Sequence, residues 1–137
     1  MAYPSGKKTG DTFREELARR IPLLTERLSA FPEVAAVYLF GSFARGNPRR
    51  GSDIDIAVYT RGSYSQRRRA RARTEYIGAA AKTLGTDRVD VVVLNQAPVV
   101  LRHEVFRDGK LLYVRDRDYL SRFRASCSRE YLDTIPL

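Results

Sequence analysis

Apolar residues recur at helical spacing early in the chain, where Phe13, Leu17, Ile21, Leu24 and Leu28 mark one face of a helix. Thr12 followed by Glu15 has the form of a capping box that would start it. Pro22 is expected to kink or restart it, because proline has no amide to donate and its ring crowds the preceding turn. The period then changes. Val34-Ala-Ala-Val-Tyr-Leu-Phe40 is an uninterrupted apolar run, short enough for a strand buried on both faces, and it stops at Gly41-Ser42. Three glycines, Asn47 and Pro48 over residues 41–52 predict a loop or short helical turn, and Ile54 to Tyr59 reads as a second buried strand, giving a hairpin-like pair.

Tyr64 to Leu84 is helical by composition, with Tyr76, Ile77, Ala80 and Leu84 on one face, arginines on the other and Gly85 as its stop. A valine-rich third strand is expected over Arg88 to Leu94. A helix near Pro98 follows, carrying Val99, Leu101, Val105 and Phe106, and Asp108-Gly109 makes a turn. Leu111 to Val114 would add an edge strand, and Asp116 to Leu132 a last amphipathic helix with Tyr119, Leu120, Phe123, Tyr131 and Leu132 as its apolar residues. These elements define an α+β (α/β) protein with a small mixed sheet flanked by helices. Residues 1–10 have no periodicity and read as a flexible leader before a single domain over 11–137, a size that can bury its own core.

Composition adds a charge argument. The chain carries 25 Lys and Arg against 16 Asp and Glu, a formal +9. Arg67, Arg68, Arg69, Arg71 and Arg73 supply five of those charges; without them +4 remains, so the basicity is local. Such a run is either a solvated helix face or a surface for an acidic partner or RNA. The aromatic-plus-basic pattern of an RNA-recognition sheet is missing. The lone Cys127 excludes an internal disulfide, and His103, the single histidine, is a poor metal ligand without companions and reads as a surface or packing residue. With no apolar stretch of membrane-spanning length and no signal-like segment, a cytoplasmic location is expected, away from any membrane.

The chemistry is concentrated between Leu39 and Val58. Asp53 and Asp55 are two apart in an extended segment, so both carboxylates project to one side of the sheet. Two anions held that close repel, and a divalent cation such as Mg²⁺ or Mn²⁺, shared with substrate phosphates, would neutralise them. Gly41 ends the preceding strand, where a missing side chain lets backbone amides approach a phosphate, and Ser42 adds a hydroxyl. Asp90, between Val89 and Val91, would be costly if buried alone. A metal shared with Asp53 and Asp55 is the economical partner; a salt bridge with Arg88 or another arginine is the plainer one. A two-metal site built on these acids would activate a hydroxyl and stabilise a leaving pyrophosphate, with Asp90 a candidate general base.

Gly41-Ser42, ten intervening residues and then Asp53-Ile54-Asp55 resemble the signature of the minimal nucleotidyltransferases of the DNA polymerase beta-like superfamily, with Asp90 where that family places its third carboxylate. The likeness extends through Asp90 to Pro98, Glu104 to Gly109, Leu111-Leu-Tyr113 and Tyr131 to Leu137, features of the antitoxin branch, and so covers residues 34–137. It implies the polymerase beta-like nucleotidyltransferase fold, ATP as substrate with Mg²⁺ or Mn²⁺, and transfer of AMP to a tyrosine of a HEPN-domain ribonuclease toxin, which is thereby neutralised. Carried onto this chain, Gly41 and Ser42 would hold the ATP phosphates, Asp53 and Asp55 the metals, and Asp90 would complete the site. Phe43 stands where many members carry a polar or basic residue, and Arg45 is the candidate for a phosphate contact in its place. Two other functions use the same residues or none of them: a small-molecule nucleotidyltransferase of the aminoglycoside-modifying kind, and an antitoxin that acts by binding alone.

Overall fold

The computed structural model describes residues 9–46, 52–62 and 66–137. Helix α1 (Thr9–Ser29) leads into strand β1 (Val34–Phe40), the one-turn helix α2 (Gly41–Ala44), β2 (Ile54–Thr60) and the long helix α3 (Gln66–Leu84). Then come β3 (Val89–Val93), a 3₁₀ turn (Leu94–Gln96), α4 (Val99–Asp108), β4 (Lys110–Val114) and α5 (Arg117–Asp133). Four strands form one mixed sheet in the order β3-β2-β1-β4. β1 pairs antiparallel with β2 and β4, whereas β2 and β3 are parallel. A parallel pair needs a crossover, and α3 supplies it.

Both faces of the sheet are covered, which is why β1 is buried at every position. On one face Leu17, Leu24 and Leu28 of α1 and Ala72, Tyr76, Ala80 and Leu84 of α3 pack on Val37, Leu39, Ile56, Val58 and Val91. On the other, Val105 of α4 and Leu120 of α5 pack on Ala36, Tyr38, Phe40, Ala57 and Tyr59. Phe123 stacks flat on Tyr59 with centroids 4.0 Å apart, and Phe106 meets Tyr38 edge-on. His103 stacks on Tyr131 with centroids 3.6 Å apart, a packing role as its isolation suggested. Asp116 caps α5 by accepting a hydrogen bond from the Tyr119 amide, and Gly85, at a φ of +70°, ends α3 in a conformation that costs other residues dearly.

Three expectations need correction. α1 starts at Thr9, upstream of the Thr12–Glu15 box, and so takes in the last two residues of the expected leader; residues 1–8 lie outside the described residues. The first amides of a helix have no intrahelical acceptor, so an early start at Thr9-Gly10 sacrifices little. Pro22 does not divide the helix, which runs unbroken through it. Pro22 and Ala18 are both exposed, so the carbonyl that loses its amide donor remains accessible to water. Finally, the third strand is shorter than expected, because the chain turns at Leu94 as Asn95 folds back onto the end of β2: its side chain accepts from the Thr60 amide and hydroxyl and donates to the Thr60 carbonyl.

Leu28 is fully buried between α1 and the sheet. Leu28→Ala should cost about 2–5 kcal/mol of stability by leaving a cavity, seen as a lower midpoint in urea with an unchanged slope.

Candidate active site

Strand register brings the acids together. Asp55 sits beside Phe40 on β1 and beside Asp90 on β3, so three neighbouring strands contribute Phe40, Asp55 and Asp90 at one level of the sheet. Alternation puts Asp55 on the same face as Ala57 and Tyr59, the face covered by α4 and α5. Asp53, one residue before β2 begins, is exposed, and Asp55 is half-buried. Burial pushes the Asp55 carboxyl above the usual carboxylate range, and the negative charges of Asp90 and Asp53 push it further; Arg45 offsets part of this. The three carboxylates are therefore close enough to feel one another.

Gly41 completes the corner. Its φ is +72°, and a β-carbon there would collide with the Asp55 carboxylate. The glycine thus does two things, permitting a left-handed turn directly after β1 and leaving room for an acid. Ser42 is half-buried beside it, while Phe43 turns inward and joins the core on the opposite face, where no phosphate contact is available to it. Arg45 faces Glu104 of α4 at 3.9 Å, both about half exposed, and Glu104 is near enough to add to the negative field at Asp55. Sequence reading placed Glu104 only inside a family-like segment; its position at the site follows from α4 crossing the end of β1.

Asp90 takes the plainer of its two expected partners, an arginine, and differs only in its exposure. It is not buried: 48% of its side chain is exposed, and Arg73 of α3 donates to its Oδ1 at 3.0 Å. The run from Arg67 to Arg73 is consequently not one uniform solvated face. Arg68 binds Glu33 at 2.6 Å and Glu75 at 3.1 Å, Arg73 reaches the sheet, and Arg67, Arg69 and Arg71 point outward. Arg73 follows Ala72 in the buried Ala72–Tyr76–Ala80 stripe, and that adjacency was the available signal that it lies at the border with the sheet.

Carboxylate oxygens are hard donors of the kind that suits a divalent cation, and after burial it is the negative charges of Asp90 and Asp53 that raise the hold of Asp55 on its proton. Among the described residues no group of three acids, histidines or cysteines is placed to hold a metal ion by itself. Mg²⁺ is commonly held by one or two carboxylates together with substrate phosphates. An open cleft of about 660 Å³ lined by Glu33, Arg61, Arg68 and Tyr119 lies at the other end of β2 and contributes nothing to this corner.

A charge balance this unfavourable has a measurable consequence. The folded-state pKa of Asp55 lies above its unfolded value, so the folded protein binds that proton more tightly and loses stability as pH rises through the carboxylate range. Asp55→Asn should therefore raise the melting temperature of the metal-free protein by a few degrees at pH 7, and the gain should shrink as pH falls toward 4.

A Gly-Ser corner after one strand, with Asp53 and Asp55 at the start of its antiparallel neighbour and Asp90 on the parallel strand beyond, is the arrangement that the sequence signature of a nucleotidyltransferase led us to expect. Residues 23–118 match the polymerase beta nucleotidyltransferase family, and the chain belongs to it. Among its relatives are the protein adenylyltransferases MntA of Shewanella oneidensis, 38% identical over 64% of this chain, and of Aphanizomenon flos-aquae, 32% identical over 71%. The matched region spans 59% of the first protein's length and 68% of the second's. A crystal structure of a toxin–antitoxin pair with AMP-PNP superposes with a TM-score of 0.62 at 29% identity, covering 88% of this chain and 87% of the other. A structure of a tri-AMPylated Shewanella oneidensis HEPN toxin in complex with MNT antitoxin gives 0.56 at 26% identity, covering 90% of this chain and 87% of the matched one. The four-stranded mixed sheet and its helices are the minimal nucleotidyltransferase fold seen in a further structure of that description, with a TM-score of 0.52 at 28% identity. No helix among the described residues is long and apolar enough to cross a membrane.

Proposed function

We propose that this chain transfers AMP from ATP to a tyrosine of a HEPN ribonuclease toxin and so silences it as an antitoxin. The observation that carries the catalytic part is the register that sets Asp55 beside both the Gly41 corner and Asp90. Asp53 and Asp55 would hold Mg²⁺ or Mn²⁺, with Asp90 completing the set; the cation supplies charge neutralisation for the triphosphate and acidifies a coordinated hydroxyl. Gly41 leaves the phosphates room at the backbone, Ser42 donates its hydroxyl to them, and Arg45 offers a guanidinium when it turns from Glu104. Asp90 lies at the outer strand of the three, exposed toward an incoming acceptor, where it receives the proton of the attacking tyrosine.

The acceptor argument comes from the relatives. Both MntA proteins are protein adenylyltransferases, and one structural neighbour holds an AMPylated HEPN toxin. A location in the cytoplasm, where ATP and a ribonuclease toxin meet, goes with this reading. The test is incubation with labelled ATP, Mg²⁺ and the toxin encoded beside this chain. Label on a toxin tyrosine and loss of ribonuclease activity support the proposal. Label on a small aminoglycoside instead, or toxin neutralised without any label, would replace it with one of the other two functions.

A further inference from the structure

The strongest unassigned contact is the arginine that leaves its run to reach the sheet. Arg73 donates through Nε to the Val91 carbonyl at 2.8 Å and through Nη2 to Asp90 Oδ1 at 3.0 Å. The first bond fixes the guanidinium to the backbone of the strand that carries Asp90; the second fixes the carboxylate to the guanidinium. One planar group thus ties a side chain to the residue that follows it in its own strand, with two bonds in the fork geometry that lysine cannot reproduce.

Asp90 needs such a restraint. It lies on β3, an edge strand with β2 as its neighbour, and is half exposed. It also faces Asp55 across the pair, and repulsion would swing a loose carboxylate outward. Arg73 is itself half exposed, and exposed ion pairs add little to stability; two directed bonds nevertheless select a geometry.

We propose that Arg73 is the positioning residue for Asp90: anchored on the Val91 carbonyl, it holds one carboxylate oxygen and leaves the other oriented for the nucleotidyl-transfer site. This rests on the reading of Asp90 as a member of that site. Arg73 touches neither nucleotide nor acceptor, and acts through Asp90 alone.

The test compares wild type with Arg73→Met, which keeps the length and removes the fork, and Arg73→Lys, which keeps the charge but reaches one partner. In transfer assays with ATP and the toxin, Arg73→Met should lower kcat about 10- to 100-fold, the usual loss when a group orienting a functional side chain is removed. KM for ATP should stay within about threefold, and Arg73→Lys should fall between the two. A second readout needs neither metal nor nucleotide. Asp90→Asn relieves the repulsion with Asp55 but also costs Arg73 its partner, so it should raise the melting temperature more in the Arg73→Met background than in wild type. A kcat of Arg73→Met equal to or above wild type, or identical Asp90→Asn shifts in both backgrounds, overturns the proposal. A wild-type protein that transfers nothing overturns the enzymatic reading instead, and the melting cycle still reports whether the pair exists.

Discussion

Replacing Asp53 and Asp55 together by asparagine should reduce AMP transfer by roughly 10³-fold or more, since it removes the charges that would hold the cation against the triphosphate. Asparagine keeps the shape, so packing around Ile54, which is almost completely buried between the two, is undisturbed. Because Asp55 is held in an unfavourable field, the double variant should melt no lower than wild type. Those two results together separate chemistry from folding. Binding of the toxin should persist, and co-purification of an unmodified toxin with the inactive variant is the accompanying measurement. Transfer at the wild-type rate would show that these carboxylates are not the site.

The second large effect is expected from a single methyl group. Gly41→Ala places a β-carbon against the Asp55 carboxylate and forces alanine into a φ of +72°. The left-handed backbone alone costs about 1–2 kcal/mol. The collision adds to that, and because Asp55 is the more movable partner, it is the acid that shifts. A displacement of about 1 Å is enough to cost on the order of 100-fold in rate. Activity should therefore fall far more than stability does when both are measured well below the melting temperature. Ala44 offers the control: it is a small buried residue of the same short helix, packed into the core on the opposite face of the sheet, and Ala44→Gly should loosen the helix with little effect on the rate.

Much of this architecture was legible from residue pattern. The apolar runs at Val34 to Phe40 and Ile54 to Tyr59 became β1 and β2 because each is buried on both faces, the one environment in which a strand shows no alternation. The spacing from Gly41-Ser42 to Asp53 and Asp55 anticipated that the Gly41 corner and Asp55 would adjoin, because it spans two neighbouring antiparallel strands. What failed depended on partners far apart in the chain. Asp90 between valines looked buried, but its strand lies at the sheet edge, where alternate residues stay open. Its contact with Arg73 spans 17 positions, from a helix to a parallel strand, and no periodicity encodes that. Pro22 did not end the helix, which continues through it with Ala18 and Pro22 both exposed.

The parallel pairing of β2 with β3 also has a consequence for synthesis on the ribosome. Asp53 and Asp55 emerge early, yet their companion acid arrives only after the whole of α3 has been made and has swung across the sheet. Pairings of such long sequence separation form late, once loop closure has been overcome. A nascent chain released before Val89 would carry the carboxylate pair without a third acid or the strand that aligns it. Under the proposed function, the three acids therefore come together in one step, with the docking of that crossover, and not by degrees.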